Sequence, residues 1–397
     1  MASLILHGAR VVDGMGGVVE GAAIQVDGDR IQAVSRDGLS DTSAERVDLS
    51  GRTVIPGLMN CHTHVCGAII PPPPGVTTGQ LIARYAVRGA RWLEDALKMG
   101  VTAIRDIGGI EHADLGLKRM VESGMIAGPR MRAVGKLITM TGGHGYPQGM
   151  EADGPDEVRK AVRTQLKAGA DAVKLLATGG IATPGTWPGS PQLTLGELTA
   201  GVEEAHNAGW KVGAHAEGKQ GIMNAVRAGV DSIEHGYELD AEVIELMLER
   251  GTFLCPTLTC DIRIAEHGDE YDLPPGFVEK MKHWIEPLVT SFERAQKSGV
   301  RIAAGNDSFA DWVPISDMAG ELAAMVQYGM DPHAAIIAAT ANSAELLQLP
   351  DEGTLAAGKR ANLVVLAGDP LAEIANVADV VGVMKDGRWV RDPVRPN

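Results

Sequence analysis

Two imidazoles stand two residues apart in the run Asn60-Cys61-His62-Thr63-His64, which follows the apolar stretch Thr53-Val54-Ile55 and the pair Pro56-Gly57. On an extended strand, side chains two apart share a face, so His62 and His64 can offer both rings to one metal ion. Cys61, between them, points to the opposite face and is read as a packing residue. Two hydrogen-bonded surface histidines would have the same spacing, so the pair needs further ligands to count as a site. Candidates lie downstream at the ends of other short apolar runs: Lys174 in Val173-Lys174-Leu175-Leu176, His215 after Val212-Gly213-Ala214, His235 after Ser232-Ile233-Glu234, and Asp307 in Gly305-Asn306-Asp307-Ser308. Each has a plain alternative. The histidines could be hydrogen-bonded core groups, Lys174 a salt-bridged buried lysine, and Asp307 the cap of a helix starting near Phe309. Independent structural roles would not place six ligand-capable groups at strand ends together, and the joint placement points to a metal site.

The elements that must position these residues follow from the hydrophobic pattern. Apolar runs near Thr53 to Ile55, Val101 to Ile107, Met131 to Ile138, Ala172 to Leu176, Lys211 to Ala214, Ser232-Ile233, Thr252 to Pro256 and Val300 to Ala304 read as eight strands. Amphipathic helices such as Leu81 to Met99, Asp156 to Ala168, Leu195 to Ala208 and Ala241 to Arg250 separate them, with Gly100, Gly169, Gly209 and Gly251 just past helix ends. This α/β alternation predicts a (β/α)8 TIM barrel over residues 57–352, a fold whose active site lies at the C-terminal ends of the strands. The ends of the chain differ. Short strands with Asp13-Gly14, Gly16-Gly17 and Asp27-Gly28 turns open it, and Asn362 to Leu366, Val380 to Met384 and Trp389-Val390, with a turn at Lys385 to Arg388, close it. Neither end can bury a core alone, so residues 1–56 and 353–397 are expected to pair into a small composite β-sandwich domain.

Bulk properties narrow the partners. The chain of 397 residues has a formal net charge of -15 and no basic cluster, which disfavours nucleic acid. Four irregularly spaced cysteines make no disulfide framework. There is no apolar run long enough to span a membrane and no charged segment leading into an apolar one at the start. A soluble cytoplasmic protein with no membrane partner is expected.

With these motifs in place, the chain resembles the metal-dependent amidohydrolase superfamily over nearly its whole length: H-x-H on the first strand, lysine on the fourth, histidines on the fifth and sixth, aspartate on the eighth. The segment Gly353-Thr354-Leu355 to Val365 is similar to the return into the sandwich, with Asn362 where aspartate is more usual. Lys174 to Gly180, with Thr141-Gly142-Gly143-His144-Gly145 upstream, resembles the prolidase-type branch of Xaa-Pro dipeptidases and carboxypeptidases. The resemblance implies that His62, His64 and Asp307 hold one divalent ion and His215 and His235 a second. Lys174, carboxylated by carbon dioxide, would bridge them. A nitrogen and oxygen donor set suits Zn2+, with Mn2+, Co2+ or Fe2+ as alternatives. Lys174 and Asp307 are then the catalytic groups of a hydrolase that uses a metal-generated hydroxide, Asp307 passing the proton to the leaving nitrogen.

The expected substrate is a small molecule, a dipeptide or N-acyl amino acid with proline or a bulky residue at its C-terminal end. His144, Tyr146 and Tyr237 in strand-end loops are candidates to bind its carboxylate. A cyclic amide, carbamate, urea or ester is the alternative substrate, and a silent scaffold barrel is the alternative from another class, against which the intact ligand set argues. A homo-oligomer is the expected assembly. Arg105-Asp106 reads as an internal ion pair bracing the second strand, and Pro71 to Pro74 with Gly75 as a stiff loop beside the first.

Overall fold

The computed structural model describes residues 3–36, 38–41, 43–67, 75–271 and 273–394. The loop Pro71 to Pro74 lies outside the described residues. Both chain ends enter one eight-stranded sheet. Its order is Arg388–Arg391, Val380–Lys385, Leu363–Leu366, Thr53–Pro56, Leu4–Val12, Val18–Asp27 and Arg30–Ser35, with Glu45–Asp48 alongside the first half of Leu4–Val12. Side-chain alternation gives this sheet two apolar faces. Val11, Val54, Leu363, Val365 and Met384 form a cluster of its own, whereas Val12, Ile55, Val364, Leu366 and Val383 join the main core of the chain. That is why Leu363–Leu366 is an uninterrupted apolar run: it is buried on both sides. The anticipated turn at Asp386-Gly387 has positive φ at both residues, the geometry of a two-residue hairpin loop.

The remaining strands are parallel. Leu58–Thr63, Val101–Asp106 and Arg130–Ala133 form one sheet, and Ile138–Thr139, Val173–Leu176, Val212–Ala216, Ser232–His235 and Phe253–Cys255 form most of a second. Hydrogen bonds join them at both margins. Asp171 N donates to Ala133 O (3.0 Å), Ala303 N to Leu254 O (2.9 Å) and Cys61 N to Ala304 O (2.8 Å).

Three strand expectations need correction. Thr53–Pro56 belongs to the sheet of chain ends, and the first parallel strand is Leu58–Thr63, because Gly57 donates its N–H to Asn362 O and the chain crosses layers there. The third run is two short strands, broken at Gly135, whose φ of 74° a strand cannot hold. The eighth is reduced to a single bridge at Ile302. The helices fall close to expectation, as Thr78–Lys98, Pro155–Ala168, Leu195–Asn207 and Ala241–Arg250. Thr77 with Gln80 and Thr194 with Glu197 form reciprocal caps on the first and third of these. No described helix is long and apolar enough to cross a membrane.

Gly305 is where the eighth segment crosses the first parallel strand. A Cβ there would lie 2.7 Å from both His62 N and Cys255 Sγ. Gly305→Ala is therefore expected to lower stability by about 1–3 kcal/mol through overpacking and to displace His62, read as a lower denaturation midpoint together with weaker metal uptake.

Candidate metal centre

His62 lies in Leu58–Thr63 and His64 one residue beyond it, Lys174 lies in Val173–Leu176, His215 in Val212–Ala216, and His235 ends Ser232–His235. The parallel register, with Leu176 opposite His215 and Ala216 opposite His235, brings the strand ends level. Ring centroids are 5.4 Å apart for His62 and His64, 5.0 Å for His62 and His235, and 4.8 Å for His215 and His235. Asp307 Oδ1 is 3.5 Å from His62 Nε2 and 3.4 Å from His64 Nε2. No helix starts near Phe309, so Asp307 is not a helix cap. Two of these groups sit on strained backbone, with φ of 72° at His235 and 48° at Asp307.

Each imidazole donates one N–H away from the centre. His62 Nδ1 donates to Glu234 Oε2 (2.8 Å), His64 Nδ1 to Gly108 O (3.0 Å), His235 Nδ1 to Thr257 Oγ1 (2.8 Å) and His215 Nε2 to Gly179 O (2.9 Å). The carboxylate and carbonyl acceptors fix the tautomers of His62, His64 and His215, leaving Nε2 of His62 and His64 and Nδ1 of His215 as lone-pair donors, and with the Thr257 hydroxyl directed to Asp261 the same holds for Nε2 of His235. His64 Nε2 and Asp307 Oδ1 are buried without a hydrogen-bond partner. A buried polar atom left bare is costly, and a cation relieves the cost. The donor atoms of His62, His235 and Asp307 lie within 4.8 Å of one another, as do those of His215, Glu217 and His235. These residues fit divalent metal ions.

Electrostatics agree with that fit. Burial draws His62, His215 and His235 well below the usual histidine range and His64 down to about 4, so all four rings are neutral, as ligands must be. Burial also draws Lys174 down to about 8, against the opposing pull of the Glu234 and Asp307 carboxylates. Asp307 is pushed up to about 7, again by burial.

Beneath the ligands lies a buried ion pair. Arg105 Nη2 meets Glu234 Oε1 at 2.7 Å, while its Nη1 donates to Ser232 Oγ (3.0 Å) and its Nε to Cys61 O (2.7 Å). Burial opposes the charge on Glu234, but Arg105 and Lys174 beside it hold the carboxylate below the usual range. Gly213 makes room, since a Cβ there would lie 2.7 Å from Glu234 Oε1. The expected Arg105–Asp106 pair is thus replaced by a pair across the strands, and Asp106 instead accepts from Val65 N and Gly108 N.

A pocket opens beside the centre. It is lined by His64, His144, His215, His235 and Asp307, by Glu217, Tyr237 and Asp261, and by an apolar wall that includes Ile181, Phe277 and Phe309. Of the three candidate substrate-binding residues, His144 lines it with Nδ1 unpaired and its ring stacked 4.4 Å from His215. Tyr237 lines it but donates its hydroxyl to Asp261 (3.1 Å), and Tyr146 is 45% exposed outside it. Glu234, Glu217 and Asp261 were not singled out from sequence. For the first two a signal existed: a carboxylate inside or just past a buried strand, next to or two residues from a histidine.

The sequence profile of the amidohydrolase family matches residues 53–390. The ochratoxinase of Aspergillus niger is 31% identical over an alignment covering 98% of this chain and 87% of the relative. Among solved structures, a Xaa-Pro dipeptidase with methionine bound in its active site superposes with a TM-score of 0.90 at 31% identity, covering 98% of this chain and all of that one. A prolidase in complex with N-methylphosphonate-L-proline also gives 0.90, at 32% identity and the same coverage.

Two outcomes are expected. Glu234→Gln should weaken metal binding about 10- to 100-fold in a chelator competition assay, because His62 loses a charged acceptor and Arg105 its counter-ion. The second concerns Glu321, which is buried and accepts from Leu258 N (3.0 Å) and Thr259 N (2.8 Å) at the start of helix Leu258–His267. Burial pushes it from 4.5 up to about 7. The folded state therefore binds its proton more tightly than the unfolded state does, and this contribution to stability is present at low pH and lost as pH rises from 4.5 to 7. The change is about 3 kcal/mol. Denaturant titrations across that window should lose this slope in Glu321→Gln.

Proposed function

We propose, since this chain belongs to the amidohydrolase family and to its prolidase-type branch, that it is a binuclear metal-dependent hydrolase cleaving the amide bond of a dipeptide or an N-acyl amino acid. The chain is a hydrolytic enzyme of that family, and the finer reading rests on one observation: four imidazoles and Asp307 turn free donor atoms toward one another, with the Lys174 charge acting on all four rings. In this reading His62, His64 and Asp307 would hold one ion and His215 and His235 the other, with carboxylated Lys174 as a shared ligand. The parallel strands are read as a (β/α)8 barrel over residues 57–352, beside a composite sandwich domain of residues 1–56 and 353–397.

An ammonium cannot ligate a cation. When Lys174 Nζ bonds to the carbon of carbon dioxide and loses a proton, it becomes an anionic carbamate with two oxygen donors. Burial favours this change, because a lysine drawn down to about 8 is partly free amine near neutral pH. The donor set of nitrogen and oxygen suits Zn2+, with Mn2+, Co2+ or Fe2+ compatible. When bound, the ions would polarise the scissile carbonyl and make a water acidic enough to ionise near neutral pH. Asp307 would take a proton at a carboxylate oxygen and return it to the leaving nitrogen. His144, with Nδ1 free at the pocket wall, orients the substrate.

Metal analysis of the purified protein should give two ions per chain, and Lys174→Ala should lose metal and hydrolysis of dipeptides and N-acyl amino acids together. One ion per chain with an unmodified Lys174 would refute the binuclear reading. His144→Ala should raise KM or lower kcat/KM with metal content unchanged. Comparing a hydrophobic-residue-proline dipeptide with its C-terminal amide then probes the carboxylate, and equal kcat/KM for the two would favour a cyclic amide, carbamate, urea or ester substrate instead.

A further inference from the structure

The charged groups lining the pocket are all acidic. Besides Asp307, Glu217 and Asp261 line it, and among the described residues no lysine or arginine does. Asp261 is satisfied, since it accepts from the Tyr237 hydroxyl at 3.1 Å and from Thr257 Oγ1 at 3.5 Å. Glu217 is not. Its side chain is 2% exposed as a residue, and Oε2 is buried with no hydrogen-bond partner. The neighbouring cation, Lys280, is committed elsewhere: its ammonium donates to the carbonyl oxygens of Ile181 (3.4 Å), Thr183 (3.3 Å) and Thr186 (2.8 Å). The Tyr237 hydroxyl bonds to the carboxyl and the Lys280 charge acts on it, but Oε2 itself stays bare in the cavity wall, where a cationic donor from the ligand would satisfy it.

Position narrows which cation. Glu217 Oε2 lies 3.7 Å from His215 Nε2, the ring nitrogen that points away from the centre. A Glu217 oxygen also lies within 4.8 Å of donor atoms of His215 and His235, beside the candidate centre. In a dipeptide whose scissile carbonyl sits at the metals, the α-ammonium of the first residue is two bonds from the carbonyl carbon, within a hydrogen bond's reach of such a site. A lysine side-chain ammonium at the same residue lies six bonds away and overshoots. An N-acyl amino acid has no charge there at all.

We propose that Glu217, held in a shared acid wall with Asp261 and Tyr237, recognises the free α-ammonium of the substrate's first residue, which makes this pocket selective for dipeptides over N-acyl amino acids. The inference rests on the amide-hydrolase reading above and chooses between its two substrate classes. Glu217 is also near enough to His215 and His235 to be a metal ligand, and the test separates the two roles.

Calorimetric binding to the metal-loaded protein would compare leucine with N-acetyl-leucine as probes, and kinetics would compare leucyl-proline with N-acetyl-leucyl-proline. The wild type should favour the free amine by about 10- to 100-fold in both measurements. Glu217→Gln should remove most of that preference while keeping its metal, and Asp261→Asn, a second variant in case the first misfolds, should reduce it in part. Equal binding of free and acetylated probes by the wild type, or loss of metal from Glu217→Gln, would overturn the assignment. If the binding preference is present but neither peptide is cleaved, the assignment of Glu217 stands and the amide-hydrolase reading fails.

Discussion

The Arg105–Glu234 pair, buried between the parallel strands, is the contact on which the candidate centre depends. Four imidazoles are useful as ligands only while they stay neutral and keep their lone pairs inward. Glu234 imposes this on His62 by accepting from Nδ1, and Arg105 keeps Glu234 charged where burial alone would neutralise it. Arg105 also donates to Cys61 O, on the strand that carries His62, so one guanidinium fixes both the backbone and the side chain of a ligand. Removing the charge of either partner would strand the other in a low-dielectric interior, a larger penalty than the pair's own net contribution.

Backbone strain recurs where the candidate ligands leave the regular strands. His235, Thr257 and Asp307 all have positive φ, and none is glycine. Thr257 accepts the His235 N–H and donates toward Asp261, so one strained residue links a metal ligand to the acid wall of the pocket. Conformations of this kind persist only where surrounding contacts over-determine them, and the buried hydrogen bonds here supply those contacts.

That these side chains would converge was legible in the sequence, because histidine, lysine and aspartate stand out at the ends of short apolar runs and a parallel α/β fold brings such ends level. The positioning layer was not. Arg105 and Glu234 are 129 residues apart, and nothing in local spacing pairs a charge on the second strand with one on the sixth. Strand boundaries were misread where layer membership rather than hydrophobicity decides. Thr53–Pro56 and Leu58–Thr63 are both fully buried and differ only in which sheet pairs with them. Both the third and eighth strands were read, but not how short they are, because a Gly135 kink and a single bridge at Ile302 leave the apolar pattern unchanged.

Thr53–Pro56 lies in the middle of its sheet, flanked by Leu4–Val12 from the start of the chain and by Leu363–Leu366 from its end. During synthesis, then, the amino-terminal strands leave the ribosome with one hydrogen-bonding edge open and wait for some three hundred residues before the partner arrives. Folding of this layer is necessarily of high contact order, and the nascent chain carries an unpaired apolar edge until Leu363–Leu366 has been made.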